Sequence, residues 1–170
     1  GIYVRHPEAR LMLTNPYARS LDTGTILNLL QARSMIEPPV AELAAINATT
    51  KHLDALASLL DEAEHHLTGQ DTADAVLGVA NMRFHRGIAE GSGNSILADV
   101  VFTLTEVHIK EQMAVLDLYN NRRRDHDQHK LILGALVRRD PAEARRLMLE
   151  HIADVIEVIR DKLAAAEAQT

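Results

Sequence analysis

The sequence predicts an all-α fold, an antiparallel helical bundle of about six to seven helices. Hydrophobic residues make up 46% of the chain, yet aromatic residues only 3%, and Ala and Leu dominate, which is typical of helical proteins. Apolar residues recur at steps of three and four along most of the chain, whereas the alternation of strands is hard to find. A length of 170 residues is enough for one domain with a substantial core.

Composition excludes several classes of function. The net charge of -6 and the pI of about 5.8 make the chain a poor candidate for holding nucleic acid by itself, because phosphate contacts need a surplus of Lys and Arg. The absence of Cys excludes disulfides and thiolate zinc sites. No stretch approaches the roughly 18 apolar residues of a membrane span, and no signal peptide is visible. We therefore expect a cytoplasmic protein without a membrane partner, and a chain that is a piece of something longer.

The first elements are the least regular. Residues 1–7 read as a short strand and residues 8–21 as a linker. A helix is predicted to start near Asp22 and Thr23, which offer a cap. Glu37–Pro39 should kink or break this helix, because proline lacks a backbone donor and clashes with the preceding turn.

The remaining elements are helices separated by turn signals. They are predicted over residues 40–48, 50–68, 71–90, 95–119, 125–138 and 141–166. Thr49 or Thr50 can cap the second of these. Gly91–Asn94 closes the third, Asn120–Arg124 reads as a polar connector, and Pro141 suits the first position of the last helix.

Three histidines occupy positions where a helical core would place leucine. His85, His129 and His151 each lie within the apolar stripe of a different helix, and Asn81 lies one turn before His85 on the same face. Burying three imidazoles and an amide without partners would cost several kcal/mol in total. A shared cation would supply the partners, and imidazole nitrogen suits zinc, nickel or copper. The alternative is that each histidine is satisfied individually by a backbone or side-chain group.

Other internal or clustered polar residues each admit two interpretations. His108 lies on the apolar face of the 95–119 helix and could line the same cavity, or be a singly satisfied core histidine. Arg33 lies among apolar neighbours and could bind a carboxylate as a planar fork, or pair with Glu37 one turn on. The run Arg122–Arg124 could meet DNA, or be solvated surface.

Three segments resemble a known family. Asn81–Asn94 resembles the D-x-x-F-H-x-x-(I/L)-A-x-x-S-G-N signature of the FCD domain, the effector domain of GntR-type transcription regulators of the FadR subfamily. His129–Ala144 resembles that domain's H-x-x-I-x-x-A-(I/L)-x-x-x-D-x-x-x-A segment, and His151 follows at the spacing of the family's last metal histidine. Residues 31–38 resemble its E-x-R-x-x-(L/I)-E-P helix, with Gln31 departing from the usual acid.

The resemblance implies a site built from one acid and three histidines around a divalent metal, most often zinc or nickel. The histidine positions carry over as His85, His129 and His151, and the acid position is Asn81, a weaker, uncharged ligand. It also implies a small organic acid, a carboxylate, as effector over the metal, for which we expect contacts from Arg33 and His108.

The resemblance further implies an FCD-like effector-binding and dimerisation domain over residues 22–167. Residues 1–7 resemble the end of the wing strand of a winged helix-turn-helix headpiece. We therefore expect a homodimer that reaches operator DNA through a headpiece absent from this chain, and no enzymatic activity. A three-His zinc hydrolase, activating water at the metal, is the alternative.

Overall fold

A computed structural model describes residues 23–68, 74–106 and 109–167, which form seven α-helices and contain no strand. The helices are α1 Thr23–Asn47, α2 Thr50–Thr68, α3 Asp74–Gly91, α4 Ser95–Glu106, α5 Ile109–Tyr119, α6 Arg122–Val137 and α7 Pro141–Glu167. The predicted all-α class is confirmed. The expected wing remnant and linker lie outside the described residues.

The prediction of a break in the first helix was wrong. Helix α1 runs continuously through Pro38 and Pro39, although neither proline can donate a backbone hydrogen bond to the preceding turn. The residues just after the prolines, Val40 and Ala41, are buried in the core. Packing of this face holds the helix together, because tertiary contacts outweigh local propensity.

The predicted helix over 95–119 corresponds to α4 and α5, and residues 107–108 between them lie outside the described residues. The side chain of Gln112 donates to the backbone carbonyl of Leu104 at 3.5 Å. Eight residues of a straight helix rise about 12 Å, which is farther than a glutamine side chain reaches. Leu104 of α4 and Gln112 of α5 therefore do not lie on one straight helix, as a single straight helix over 95–119 would require.

Helix α6 begins three residues earlier than predicted. The side chain of Asn121 accepts from the backbone N–H of Arg124 at 3.2 Å, so it caps the helix as Asn does at many N-termini. The expected polar connector is therefore the first turn of α6. Arg123 pairs with Glu64 at 2.6 Å, and Arg124 pairs with Asp154 of α7. The predicted start of α7 at Pro141 is confirmed.

The core lies where α1, α2, α3, α6 and α7 meet, and α1 packs most extensively against α7. Its largest fully buried side chains include Leu56, Phe84, Ile88, Ile132, Leu136, Met148 and Ile152. Within the described ranges, no helix is long and apolar enough to cross a membrane. The same helices carry the buried polar residues into the middle of this core.

Candidate metal centre

Three helices bring their histidines to one point. The ring centroids of His129 on α6 and His151 on α7 lie 4.7 Å apart, and that of His85 on α3 lies 5.0 and 5.3 Å from them. One nitrogen from each ring lies within 4.8 Å of the other two. All three side chains are buried, with 2–3% of each residue exposed. We name these three residues the histidine centre.

The ring of His85 is oriented by a carboxylate of α1. Its Nδ1 lies 2.5 Å from Oε2 of Glu37, whose Oε1 accepts from Nε of Arg33 at 2.5 Å. Burial by itself raises the pKa of Glu37, but the Arg33 guanidinium and His85 hold this pKa well below its usual range. Glu37 is therefore ionised and His85 Nδ1 carries the proton.

The other nitrogen of His85, Nε2, is left without a hydrogen bond. His85 Nε2 is fully buried and has no hydrogen-bond partner. With Nδ1 bonded to Glu37, Nε2 is the nitrogen that has no protein partner and can bind a ligand. An unsatisfied buried acceptor costs about 1–3 kcal/mol, which a ligand at this point would offset.

His151 is oriented in the same way by Gln128. Its Nδ1 lies 2.8 Å from Gln128 Oε1, an acceptor, so Nδ1 is the protonated nitrogen. Its Nε2 faces Nε2 of His129 at 3.3 Å. Burial lowers the pKa of both rings well below 6.5, and neighbouring histidines lower it further. His129 and His151 are therefore neutral, the form that binds metals.

This donor set fits a first-row divalent ion. Two nitrogens bound at about 2.0–2.1 Å in a tetrahedral site lie about 3.3–3.4 Å apart, and the His129–His151 pair has this separation. His85 Nε2 supplies a third lone pair with no competing protein donor. Metal-bound histidines commonly donate their other ring nitrogen to an acceptor, and here Glu37 and Gln128 accept from Nδ1 of His85 and His151.

The acid that position 81 lacks is present on another helix. Asn81 is buried beside the centre, and its Nδ2 donates to Asp125 Oδ2 at 2.6 Å. Asp125 lies one turn before His129 on α6, with Oδ2 3.9 Å from His129 Nδ1 and Oδ1 4.0 Å from His151 Nε2. The sequence analysis missed Asp125, although it lies four residues before His129 and thus on the same helical face.

Of the two expected effector contacts, Arg33 and His108, the structure describes Arg33. Arg33 is buried, and besides Glu37 it donates from Nη1 to Gln112 Oε1 at 3.0 Å. The alternative interpretation, pairing with Glu37, is therefore what the structure has. His108 lies outside the described residues. Gln112 and Gln128 gave no signal in the sequence, because a single Gln in a helix is equally typical of a solvated surface.

Space beside the centre is small. A cavity of about 20 Å³ adjoins it between α2, α3 and α6, enough for about one water molecule. The polar residues that line this cavity are Asn81, Arg122, Asp125, His126 and His129. A ligand of several atoms would need side chains to move.

Comparison with known proteins first defines the class. The chain is 29% identical over 160 residues to an Uxu operon transcriptional regulator of Escherichia coli K12, covering 91% of this chain and 62% of that protein. It is 31% identical over 135 residues to the HTH-type transcriptional repressor NanR of Citrobacter rodentium, covering 78% and 50%. The chain therefore spans less than two thirds of these transcription regulators.

The family follows from a profile described as FCD domain, which matches residues 28–154. The chain belongs to the FCD domain family of GntR-type transcription regulators. A solved structure described as Streptococcus agalactiae GntR has the same fold, with a TM-score of 0.67 and 24% identity over 84% of this chain and 63% of that one. The resemblance inferred from the three sequence segments is thus confirmed.

Proposed function

We propose that this chain is the effector-binding domain of a bacterial DNA-binding transcription regulator, and that it senses a small carboxylate over a divalent metal. The observation that supports a metal is that His85 Nε2 is buried and has no partner. It lies where two neutral imidazoles also converge. The relatives are named as transcription regulators, which supports a regulator over the three-His zinc hydrolase.

In this proposal His85, His129 and His151 hold zinc or nickel, with Asn81 as a weak ligand or near neighbour. When bound, the metal supplies open positions for an anionic oxygen. Glu37 and Gln128 fix the proton on Nδ1 of their histidines, so that each Nε2 lone pair stays available. Phe84 stacks on His129 with ring centroids 4.5 Å apart and limits the tilt of that ring.

Arg33 is the proposed second anchor of the effector. Two of its guanidinium nitrogens are bonded to Glu37, and the third is bonded to Gln112, a neutral acceptor. A carboxylate is the stronger acceptor for a guanidinium, so it would replace Gln112 rather than Glu37. His108, which lies outside the described residues, remains a proposed contact of the effector.

The wider assembly belongs to the proposal as well. A homodimer would present two headpieces, carried by sequence outside this chain, to a two-fold symmetric operator. Effector binding would then change the spacing of the headpieces. Gel filtration with light scattering on this chain should give about twice its 18.8 kDa, and a strict monomer would remove the dimer from the proposal.

The first test is metal content. Protein purified without a nickel column should contain about one zinc or nickel per chain, and the triple variant H85A/H129A/H151A should contain none. His52, a partly exposed histidine on α2, provides the matched control, and H52A should retain the metal. Full occupancy in the triple variant would overturn the proposal.

The second test concerns the effector. A ligand that binds only the native state raises its stability by RT ln(1 + [L]/Kd), so small carboxylates should raise the thermal midpoint of the metal-loaded protein. R33K, which keeps the charge but loses the planar fork, should reduce that increase. If neutral sugars or amines raise the midpoint and no carboxylate does, the assignment is wrong. Turnover of esters or lactones would instead favour the hydrolase.

A further inference from the structure

The acidic side chain beside the histidine centre comes from α6, not from α3. We infer that Asp125 is the anionic ligand of the metal in this protein, and that Asn81 positions it. The inference rests on the proposed function, because it assigns a further residue to the same metal site. In this chain an amide, Asn81, occupies the position of the family's acid, and it donates a hydrogen bond to the carboxylate of Asp125.

The Asp125 carboxylate lies close to one of the three histidines. Its Oδ1 lies 4.0 Å from His151 Nε2, and neighbouring ligand atoms of a tetrahedral zinc site lie about 3.3–3.4 Å apart. Asp125 stands outside the group of three histidines, whose ligand atoms all lie within 4.8 Å of one another, so its side chain would rotate towards the ion on binding. Asp125 is itself buried, with 7% of its surface exposed, so its carboxylate is held near the centre.

Charge favours Asp125 as well. Three neutral imidazoles and an amide leave both positive charges of a buried divalent ion uncompensated, which is costly away from water. Glu37 does not help, because it is paired with Arg33. Arg122, which lines the small cavity beside Asp125, is bonded to the Leu116 carbonyl and Asp117. Asp125 is therefore the carboxylate available to the ion.

The contact between Asn81 and Asp125 explains how the carboxylate is oriented. The Asn81 amide donates to Oδ2, which leaves Oδ1 directed towards His151. A hydrogen bond to the oxygen that does not bind the metal orients a metal-binding carboxylate. Exchanging the two side chains would keep one acid, one amide and the hydrogen bond between them, with the acid on α3. This exchange provides the decisive variant.

The experiment measures zinc affinity by competition with a chromophoric chelator, on metal-free protein. D125N should bind zinc more weakly than the unmodified chain by at least the roughly 10–100-fold that disturbing a metal site's supporting groups costs, because it removes a charged ligand. D127N makes the same change on the same helix at an exposed position and should bind as the unmodified chain does. The d–d bands of bound Co²⁺ should also shift in D125N and not in D127N.

The exchanged variant N81D/D125N separates a ligand from a structural acceptor. If Asp125 is the ligand, the exchange should restore zinc affinity to within about threefold of the unmodified chain, since the number of anionic ligands is unchanged. If Asp125 only accepts a hydrogen bond, D125N should bind like the unmodified chain, and the exchange should bind more tightly, because it adds the charged ligand. That second pattern would overturn the inference.

Failure of the inference is distinguishable from failure of the proposed function. If the unmodified chain binds no zinc or nickel, the metal site itself is wrong. If it binds, and the triple histidine variant does not, but D125N binds equally well, only the role of Asp125 is wrong. Should D125N fail to fold by circular dichroism, the exchanged variant decides: affinity like that of the unmodified chain supports the inference, and tighter binding overturns it.

Discussion

Two buried polar regions lie side by side in this bundle and differ in how completely they are satisfied. In the first, which we name the Arg33 network, all three guanidinium nitrogens of Arg33 donate to Glu37 or Gln112. In the second, the histidine centre, His85 Nε2 has no partner, and two neutral Nε2 atoms face each other. Both regions are equally buried.

The difference separates a network that is complete within the described residues from a centre that has an unsatisfied atom. A buried polar network is stabilising only when its members are satisfied, and the Arg33 network meets this condition within the protein. The histidine centre does not, because His85 Nε2 has no partner, and the proposed cation would supply one. Glu37 joins the two regions, because Oε1 accepts from Arg33 and Oε2 accepts from both Arg33 and His85. Variants of the Arg33 network should therefore mainly change the stability of the fold. Variants of the histidine centre should mainly change the binding of metal and protons.

The largest expected effect is on folding, through Glu37. E37Q keeps the size of the side chain but leaves the Arg33 charge buried without its partner, which should cost about 3–5 kcal/mol. Urea denaturation of metal-free protein measures this change in the free energy of unfolding. The control is E143Q, which breaks a half-exposed pair with Arg146 and should cost less than about 1 kcal/mol. If E37Q and E143Q lowered the free energy of unfolding equally, the buried Arg33 network would contribute no more than an ion pair at the surface.

The second effect is a pH dependence from the histidine centre. The pKa values of His129 and His151 lie well below 6.5 in the folded chain, so below pH 6.5 the unfolded chain binds more protons. The metal-free protein should therefore lose stability as the pH falls below about 6.5, by at most about 1.4 kcal/mol per pH unit for each histidine. Above that pH this contribution is constant.

The double variant H129Q/H151Q tests the source of this pH dependence. Urea denaturation at pH 7.5, 6.5 and 5.5 should give a flatter profile than in the unmodified chain, because glutamine does not titrate. Bound zinc should shift the onset of the loss to lower pH in the unmodified chain alone, since metal and protons compete for the same nitrogens. The same slope in both metal-free proteins would assign the pH dependence to other groups.

The smallest effect should come from Gln128, which orients His151 without lying at the centre of the site. Q128A should weaken zinc binding about tenfold, while changing the free energy of unfolding of metal-free protein by about 1 kcal/mol. Q31A, at an exposed glutamine of α1, should change neither quantity. A loss of stability without a loss of affinity would make Gln128 part of the fold rather than of the centre.

Periodicity predicted much of this arrangement. The steps of three and four located most helices and turned His85, His129 and His151 inwards, because a helix fixes which residues share a face. The spacing of the motifs identified the family. What periodicity could not predict is which polar atoms of different helices meet. The Glu37–His85 contact joins α1 to α3, and the Gln128–His151 contact joins α6 to α7.

The errors have local physical causes. Pro38 and Pro39 indicated a helix end, but the burial of Val40 and Ala41 outweighs their local effect. Asp125 was taken for the first residue of a helix, where an acid is common. Because the Asn121 cap starts α6 earlier, Asp125 instead occupies a position on the inward face. A boundary shift of three residues therefore concealed Asp125, the proposed acidic ligand.

The two prolines of α1 also have a mechanical consequence. They remove the donors that would bond the carbonyls of Ser34 and Met35, so the turn containing Glu37 is tied by fewer hydrogen bonds than the rest of the helix. Bending stiffness is lowest at such a turn. Glu37 is also the residue of α1 that accepts a hydrogen bond from His85. A displacement of the His85 ring is thus transmitted to α1 at its most flexible turn. A small displacement there tilts the helix.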